Sequence, residues 1–234
     1  MEKEEKQTKI TTPVAIIVAG FLVMVGIILS NSLSGVPKTK TLSQQLGISK
    51  EKITACIEGT DIESLYKKVD ASVNSAMKGL PEGQRGTPYS IIIGSNGVKT
   101  DINGAQSYET FQKAIEEVKS GTVTKQYTGE VVVDEEGDHV YGRKDAPIKI
   151  IEYSDYECPF CKKVHPTIKK IVDDSNGQVS WVFRHWPLHQ NSVAKLVAGE
   201  CVAKIKGNDA FWKYSDLVFN LLDTGESNSF GNQL

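Results

Sequence analysis

Between residues 147 and 172 the chain reads as a strand, a tight turn and a helix, with two cysteines placed where the turn becomes the helix. Few folds accommodate that arrangement. Pro147-Ile148-Lys149-Ile150-Ile151-Glu152-Tyr153 is a β-branched run of strand length, broken at Ser154-Asp155-Tyr156-Glu157. Phe160, Val164, Ile168, Ile171 and Val172 then recur at helical spacing and predict a helix that opens at or near Cys158 with these residues on its apolar face. At such an N-terminus, unpaired backbone N–H groups and the positive end of the helix dipole favour a thiolate, and Lys162 and Lys163 add positive charge. Cys161, three residues on, lies on the same side and one turn deeper, as a resolving thiol requires. Pro159 fits between them because a first-turn N–H has no helical partner. The Cys158-Pro159-Phe160-Cys161 stretch therefore predicts an exchangeable dithiol, with Cys158 as nucleophile.

Two other uses of such a pair compete. A zinc site would take His165 as a third ligand, but a closed structural site needs four, and no second Cys-x2-Cys or His pair stands at ligand spacing. No metal site is expected on this ground. A purely structural bridge would close so small a loop that little chain entropy is removed.

Composition bears mainly on the context of the pair. The chain has 234 residues, 39% hydrophobic and 24% charged, enough for one domain of ordinary size plus an appendage. A formal net charge of −2 gives no basis for nucleic-acid binding. Residues 10 to 37 carry no charge, and Pro13 to Leu29 is apolar apart from glycines, close to the length of a membrane-spanning helix. An uncleaved anchor is expected. A cleaved signal peptide, with Ser30-Asn31-Ser32 as a small-x-small site, is the alternative. Lys3, Lys6 and Lys9 before the span, against Lys38 and Lys40 after it, favour a cytoplasmic N-terminus. The large domain would then face an oxidising compartment.

Helical spacing marks Ile62, Leu65, Val69, Val73, Ala76 and Met77; then Tyr108, Phe111, Ile115 and Val118; then Val193 to about Ile205; and a segment holding Phe211, Trp212, Leu217 and Val218. Strands are expected at Tyr89 to Ile93, Val98 to Ile102, Glu130 to Val133 and Val179 to Phe183, with Asn96-Gly97 as a hairpin turn. The alternation indicates an α/β fold. Cys56 and Cys201 both lie on apolar helix faces, where they are either free core cysteines or partners in a structural disulfide.

Glu152-Tyr153-Ser154-Asp155-Tyr156-Glu157-Cys158-Pro159-Phe160-Cys161, with Asp145-Ala146-Pro147 before it and His165-Pro166 after it, resembles the active-site region of DsbA-like proteins, thioredoxin-fold oxidoreductases with a helical insertion. The resemblance continues through Phe183-Arg184-His185-Trp186-Pro187-Leu188, Ala198-Gly199-Glu200-Cys201 and Phe211-Trp212-Lys213-Tyr214. Upstream, Leu42 to Gly59 resembles the later helices of the insertion, and Arg85-Gly86-Thr87-Pro88-Tyr89 the loop whose proline is cis in this family. The two halves stand in swapped order, so the resemblance implies a circularly permuted thioredoxin-like domain over residues 42–234. In it, residues 42–119 are similar to the family's C-terminal half, 120–129 form a linker, and 130–234 are similar to the N-terminal half. Residues 1–41 hold the tail, anchor and linker. A swapped dimer, or two incomplete domains, would also accommodate this order.

Residue by residue, the resemblance implies Cys158 as nucleophile, Cys161 as resolving thiol and Glu152 as a buried acid that relays a proton. It further implies that Thr87 and Pro88, with Pro159 and Phe160, contact substrate, the Thr87 backbone pairing with an extended segment. His165 either tunes the thiolate or faces solvent, while His185 and His189 fall in a loop with no assigned role. The family's activity is thiol-disulfide exchange on cysteine-containing secreted proteins, without a cofactor, with a separate redox partner regenerating the dithiol; oxidation is the implied direction. The alternative is a membrane-tethered peptide-binding or chaperone-like module without turnover.

Overall fold

The computed structural model describes residues 40–224 and 230–234, apart from the side chains of residues 223 and 224. The expected anchor lies outside the described residues, among which no helix is long and apolar enough to cross a membrane.

The elements, in chain order, are α1 (Leu42–Leu46), α2 (Lys50–Glu58), α3 (Ile62–Ala76), β1 (Tyr89–Gly94), β2 (Lys99–Asn103), α4 (Tyr108–Ser120), β3 (His139–Tyr141), β4 (Ile148–Ser154), α5 (Pro159–Asp174), β5 (Val179–His185), α6 (Ser192–Lys206) and α7 (Asn208–Thr224). The sheet order is β2-β1-β4-β5-β3, with β4 and β5 parallel and every other pair antiparallel. The hairpin β1–β2 turns where Gly97 takes a left-handed φ of 79°, as the Asn96-Gly97 pair predicts. Ile91 pairs with Ile151, so the N-terminal half of the chain supplies one side of a sheet whose other side comes from the C-terminal half.

Both faces of the central strands are covered, which explains their continuous apolar character. Ile92, Ile150, Trp181 and Phe183 point into a core shared with α1, α2, α4, α5, α6 and α7. Ile91, Ile93, Ile151, Tyr153 and Val182 point the other way, into a smaller core under α3 and Tyr127. Strand parity then places Glu152, two residues from Ile150, on the α5 face. The first helices meet the chain's end: Ser43 N donates to Gln233 O at 3.2 Å, and Lys213 Nζ to Gln45 O at 2.6 Å.

Two expectations are corrected. Residues 130–133 form no strand. Glu130 N bonds to Ser75 O, the Val132 carbonyl accepts from Arg184 Nη2 at 2.8 Å, and Asp134 takes a φ of 60°, so this backbone is satisfied outside any ladder. The edge strand is His139–Tyr141 instead, too short to show a period. Within residues 120–129, Tyr127 is buried with its hydroxyl donating to Ala76 O at 2.8 Å. Phe160 is 61% exposed and does not join the apolar face of α5, which is Cys161, Val164, His165, Ile168, Ile171 and Val172. Phe160 keeps the four-residue spacing to Val164 but lies in the first turn of α5, at the edge of that face.

Candidate active site

Cys158 is the N-cap of α5, in extended conformation with φ −80° and ψ 118°, and Pro159 occupies the first helical position. β4 delivers the chain to this point and Asp155 shapes the turn between them. Its carboxylate accepts from Glu157 N at 2.8 Å, Leu188 N at 2.7 Å and His189 N at 3.1 Å, and also from Ser192 Oγ. His189 Nδ1 sits 2.8 Å from the same carboxylate. One buried acid thus ties the turn before the dithiol to the segment that follows β5. The fully buried Lys195 reaches Glu157 from α6 and braces the same turn.

Cys158 and Cys161 are both buried free thiols. Asp155 N donates to the Cys161 sulfur at 3.4 Å, and the Cys158 sulfur donates to the Thr87 carbonyl at 3.4 Å. Thr87-Pro88 is a cis peptide. Antiparallel pairing of β1 with β4, in the register Tyr89 opposite Tyr153, carries this loop to the end of the sheet where α5 begins. A hydrogen bond from the Cys161 thiol lowers the Cys158 pKa to about 5; burial opposes this, and Thr87 and the N–H groups of Cys161 and Phe160 reinforce it. Burial pushes the Cys161 thiol up, and the neighbouring Cys158 and Glu152 charges push it further. The two sulfurs are driven apart in acidity, which separates the nucleophile Cys158 from a protonated inner thiol.

Glu152 is completely buried on the α5 face, and desolvation raises its pKa to about 8, only partly offset by Ser154 and Trp181. Neither carboxylate oxygen has a partner at hydrogen-bond distance, so the influence of those two neighbours is weak and burial dominates. An acid in that state can hold or release a proton near neutral pH.

The reading of His165 as solvent-facing is corrected, and so is the loop placement of His185. His165 is buried, packed against Trp181 and Phe219, with Nε2 2.8 Å from Asp216 Oδ1. His185 is the last residue of β5 and is also buried. Cys56 and Cys201 form a disulfide with Cα atoms 5.8 Å apart, linking α2 to α6 across 145 residues; Cys56 is half-buried rather than buried. Asp155 and Lys195 were not legible as site residues. Asp155 stands in a polar break and Lys195 is a single charge in an apolar helical run, signals that ordinary turns and solvated faces show equally often.

Residues 134–230 match the family model described as Thioredoxin. The fold is thioredoxin-like. Curated relatives match over the same scale of segment: a Na(+)/H(+) antiporter NhaA 1 of Salinispora arenicola is 35% identical over 88 residues, 38% of this chain and 13% of that protein. A Na(+)/H(+) antiporter NhaA 1 of Mycolicibacterium gilvum is 36% identical over 94 residues, 39% of this chain and 15% of that protein. The chain thus spans about a seventh of the length of these relatives, and antiport is said of them alone. The crystal structure of Pseudomonas aeruginosa DsbA2 is 37% identical over 37% of this chain and 49% of that one, with a TM-score of 0.34. Within the thioredoxin-like fold, the buried thiol pair lies at the start of the first helix after a central strand. At the level of the superfamily this supports thiol-disulfide oxidoreductase chemistry.

Proposed function

We propose that this chain is a membrane-anchored, extracytoplasmic thiol-disulfide oxidoreductase that exchanges disulfides with cysteine-containing proteins, acting chiefly as an oxidase. The observation that carries the reading is the Cys158 sulfur, lowered in pKa to about 5 and 3.4 Å from the Thr87 carbonyl. A substrate thiolate attacks the Cys158 sulfur of the oxidised pair, forming a mixed disulfide and releasing Cys161 as a thiolate that takes up a proton, with Glu152 as the nearby buried acid. A second substrate thiolate attacks the substrate sulfur and expels Cys158, so the substrate is oxidised and the dithiol reduced by two electrons. Cys158 leaves readily because its thiolate is stabilised, and stabilising the reduced form favours the oxidising direction.

An extended substrate segment lies along the Thr87-Pro88 loop and pairs with its backbone, while the exposed Phe160 and Leu188 offer it apolar contacts. Pro159 holds the first turn of α5. A separate redox partner returns the dithiol to the disulfide. The domain is a circular permutant: the N–H of Ser43 meets the carbonyl of Gln233 at 3.2 Å, where the two chain segments would be continuous in the ordinary order. Insulin reduction and dithiol-peptide oxidation, run on the full chain and on Cys158→Ala, test the proposal. Activity in the wild type with loss in the variant is expected; equal activity in both would overturn it.

A further inference from the structure

We infer that His139, His185 and Glu200 form a binding site for one divalent transition-metal ion of the zinc class, with a fourth coordination position open to an adjoining cavity. The three residues are far apart in sequence and meet through the sheet. In the β3–β5 ladder His139 lies opposite Phe183, so His139 and His185 are diagonal neighbours on one face, with ring centroids 6.4 Å apart. Glu200 comes down onto that face from α6. Its Oε1 is 2.9 Å from His139 Nε2 and 3.1 Å from His185 Nε2, and the three ligand atoms all lie within 4.8 Å of one another.

His139 Nε2 and Glu200 Oε1 form a hydrogen bond at 2.9 Å, but hydrogen bonding does not account for His185. His185 Nε2 is buried and close to Glu200 but has no partner in hydrogen-bond geometry. A buried imidazole nitrogen beside a carboxylate but not bonded to it lacks the compensation that such burial normally requires. A metal ion between the groups would supply it. Zinc-class ions sit about 2.0–2.2 Å from imidazole nitrogen and carboxylate oxygen, which places tetrahedral ligand atoms roughly 3.4 Å apart. The separations of 2.9 and 3.1 Å lie just below that value and the third is within 4.8 Å, so side-chain adjustment of about 1.4 Å or less reaches it. Two imidazoles with one carboxylate suit zinc, cobalt, nickel or copper rather than calcium or magnesium, which take oxygen ligands.

The surroundings favour a cation. His139 stacks on Phe211 with centroids 3.6 Å apart and planes 14° from parallel, which fixes its ring. Beyond the three ligands lies a cavity of about 100 Å³, with Glu135, Glu136 and Asp138 against Lys68 and Arg184 in its wall. It is large enough to hold water on the open position.

Titration of the full chain with Zn²⁺ by calorimetry, and with Co²⁺ by visible absorption, tests the inference with Cys158 and Cys161 oxidised to a disulfide so that neither is a ligand. One ion per chain is expected, with a cobalt spectrum free of thiolate charge transfer. His185→Gln and Glu200→Gln should each weaken binding by at least about 100-fold with unchanged circular dichroism. Should either variant fail to fold, imidazole ¹H–¹⁵N spectra of the wild type decide: the ion should shift the Nε2 signals of His139 and His185 and leave those of His165 and His189. No uptake at millimolar metal, affinity unaltered in both folded variants, or shifts at His165 or His189 instead would overturn the site. None of these outcomes depends on exchange activity at Cys158.

Discussion

The carbonyl oxygen of Thr87 lies 3.4 Å from the sulfur of Cys158, although 71 residues separate them and Thr87 comes first in the chain. Both belong to one chain, because β1 pairs directly with β4 and brings the loop to the start of α5. A site closed within one chain needs no second copy. Specific exchange activity should therefore stay constant as the protein is diluted below micromolar concentration, and light scattering on the solubilised protein should give a monomer. Activity that falls with dilution, together with a dimer mass, would support the swapped arrangement instead.

The low pKa of Cys158 makes its alkylation a direct readout. In the reduced protein, carboxymethylation of Cys158 should keep most of its rate down to about pH 5, where the thiolate is lost. A group whose folded pKa is depressed contributes stability above its unfolded pKa and loses it as pH falls through the folded value. The reduced form should accordingly lose stability relative to the oxidised form between about pH 9 and pH 5. Reactivity that declines around pH 9 would show that neither the helix end nor Cys161 activates the sulfur.

Glu152 has the opposite sign. Its pKa is raised from the ordinary 4.5 to about 8 by complete burial, so the folded state keeps it neutral over a range in which the unfolded chain ionises it. Its contribution to stability is fully present below about pH 4.5 and is lost as pH rises through about 8. Glu152→Gln should match the wild type near pH 4 and exceed it near pH 8 by on the order of 2–4 kcal/mol in denaturant unfolding. The same substitution should slow exchange, since the inner thiol loses its nearby proton carrier. Parallel stability curves for the two proteins would mean that Glu152 is solvated.

The disulfide between Cys56 and Cys201 joins α2, before the sheet, to α6, after it, and closes a loop with a sequence separation of 145 residues. Cross-linking so long a loop restricts the unfolded chain strongly. Cys56→Ala with Cys201→Ala should lower stability by about 2–4 kcal/mol without altering alkylation of Cys158. A melting curve indistinguishable from that of the wild type would show that the bridge contributes nothing.

Local signals made the dithiol legible. A β-branched run, a polar break and a helical period suffice to place Cys158 at a helix start, and the structure puts it at the N-cap of α5. The orientation of Glu152 follows from strand parity once Ile150 is assigned to the core, although two buried faces hide that parity in the sequence. The proximity of Thr87 to Cys158 has no local signature at all and entered only through the resemblance. Residues 130–133 misled because three valines favour a strand by propensity, whereas the Arg184 side chain takes the Val132 carbonyl and Asp134 turns the chain away. The cluster of His139, His185 and Glu200 was invisible for a related reason. Ligands supplied by two strands and a helix have no fixed spacing, and only the ladder register and helix packing bring them together.

The central claim is that Cys158, and not Cys161, is the sulfur that bonds to substrate. Incubating oxidised substrate peptide with reduced Cys161→Ala, followed by non-reducing peptide mass spectrometry, tests this directly. A stable mixed disulfide linking the peptide to Cys158 is the predicted result, with none formed by Cys158→Ala. Equal trapping on Cys161 in Cys158→Ala, or no mixed disulfide at Cys158, would contradict it.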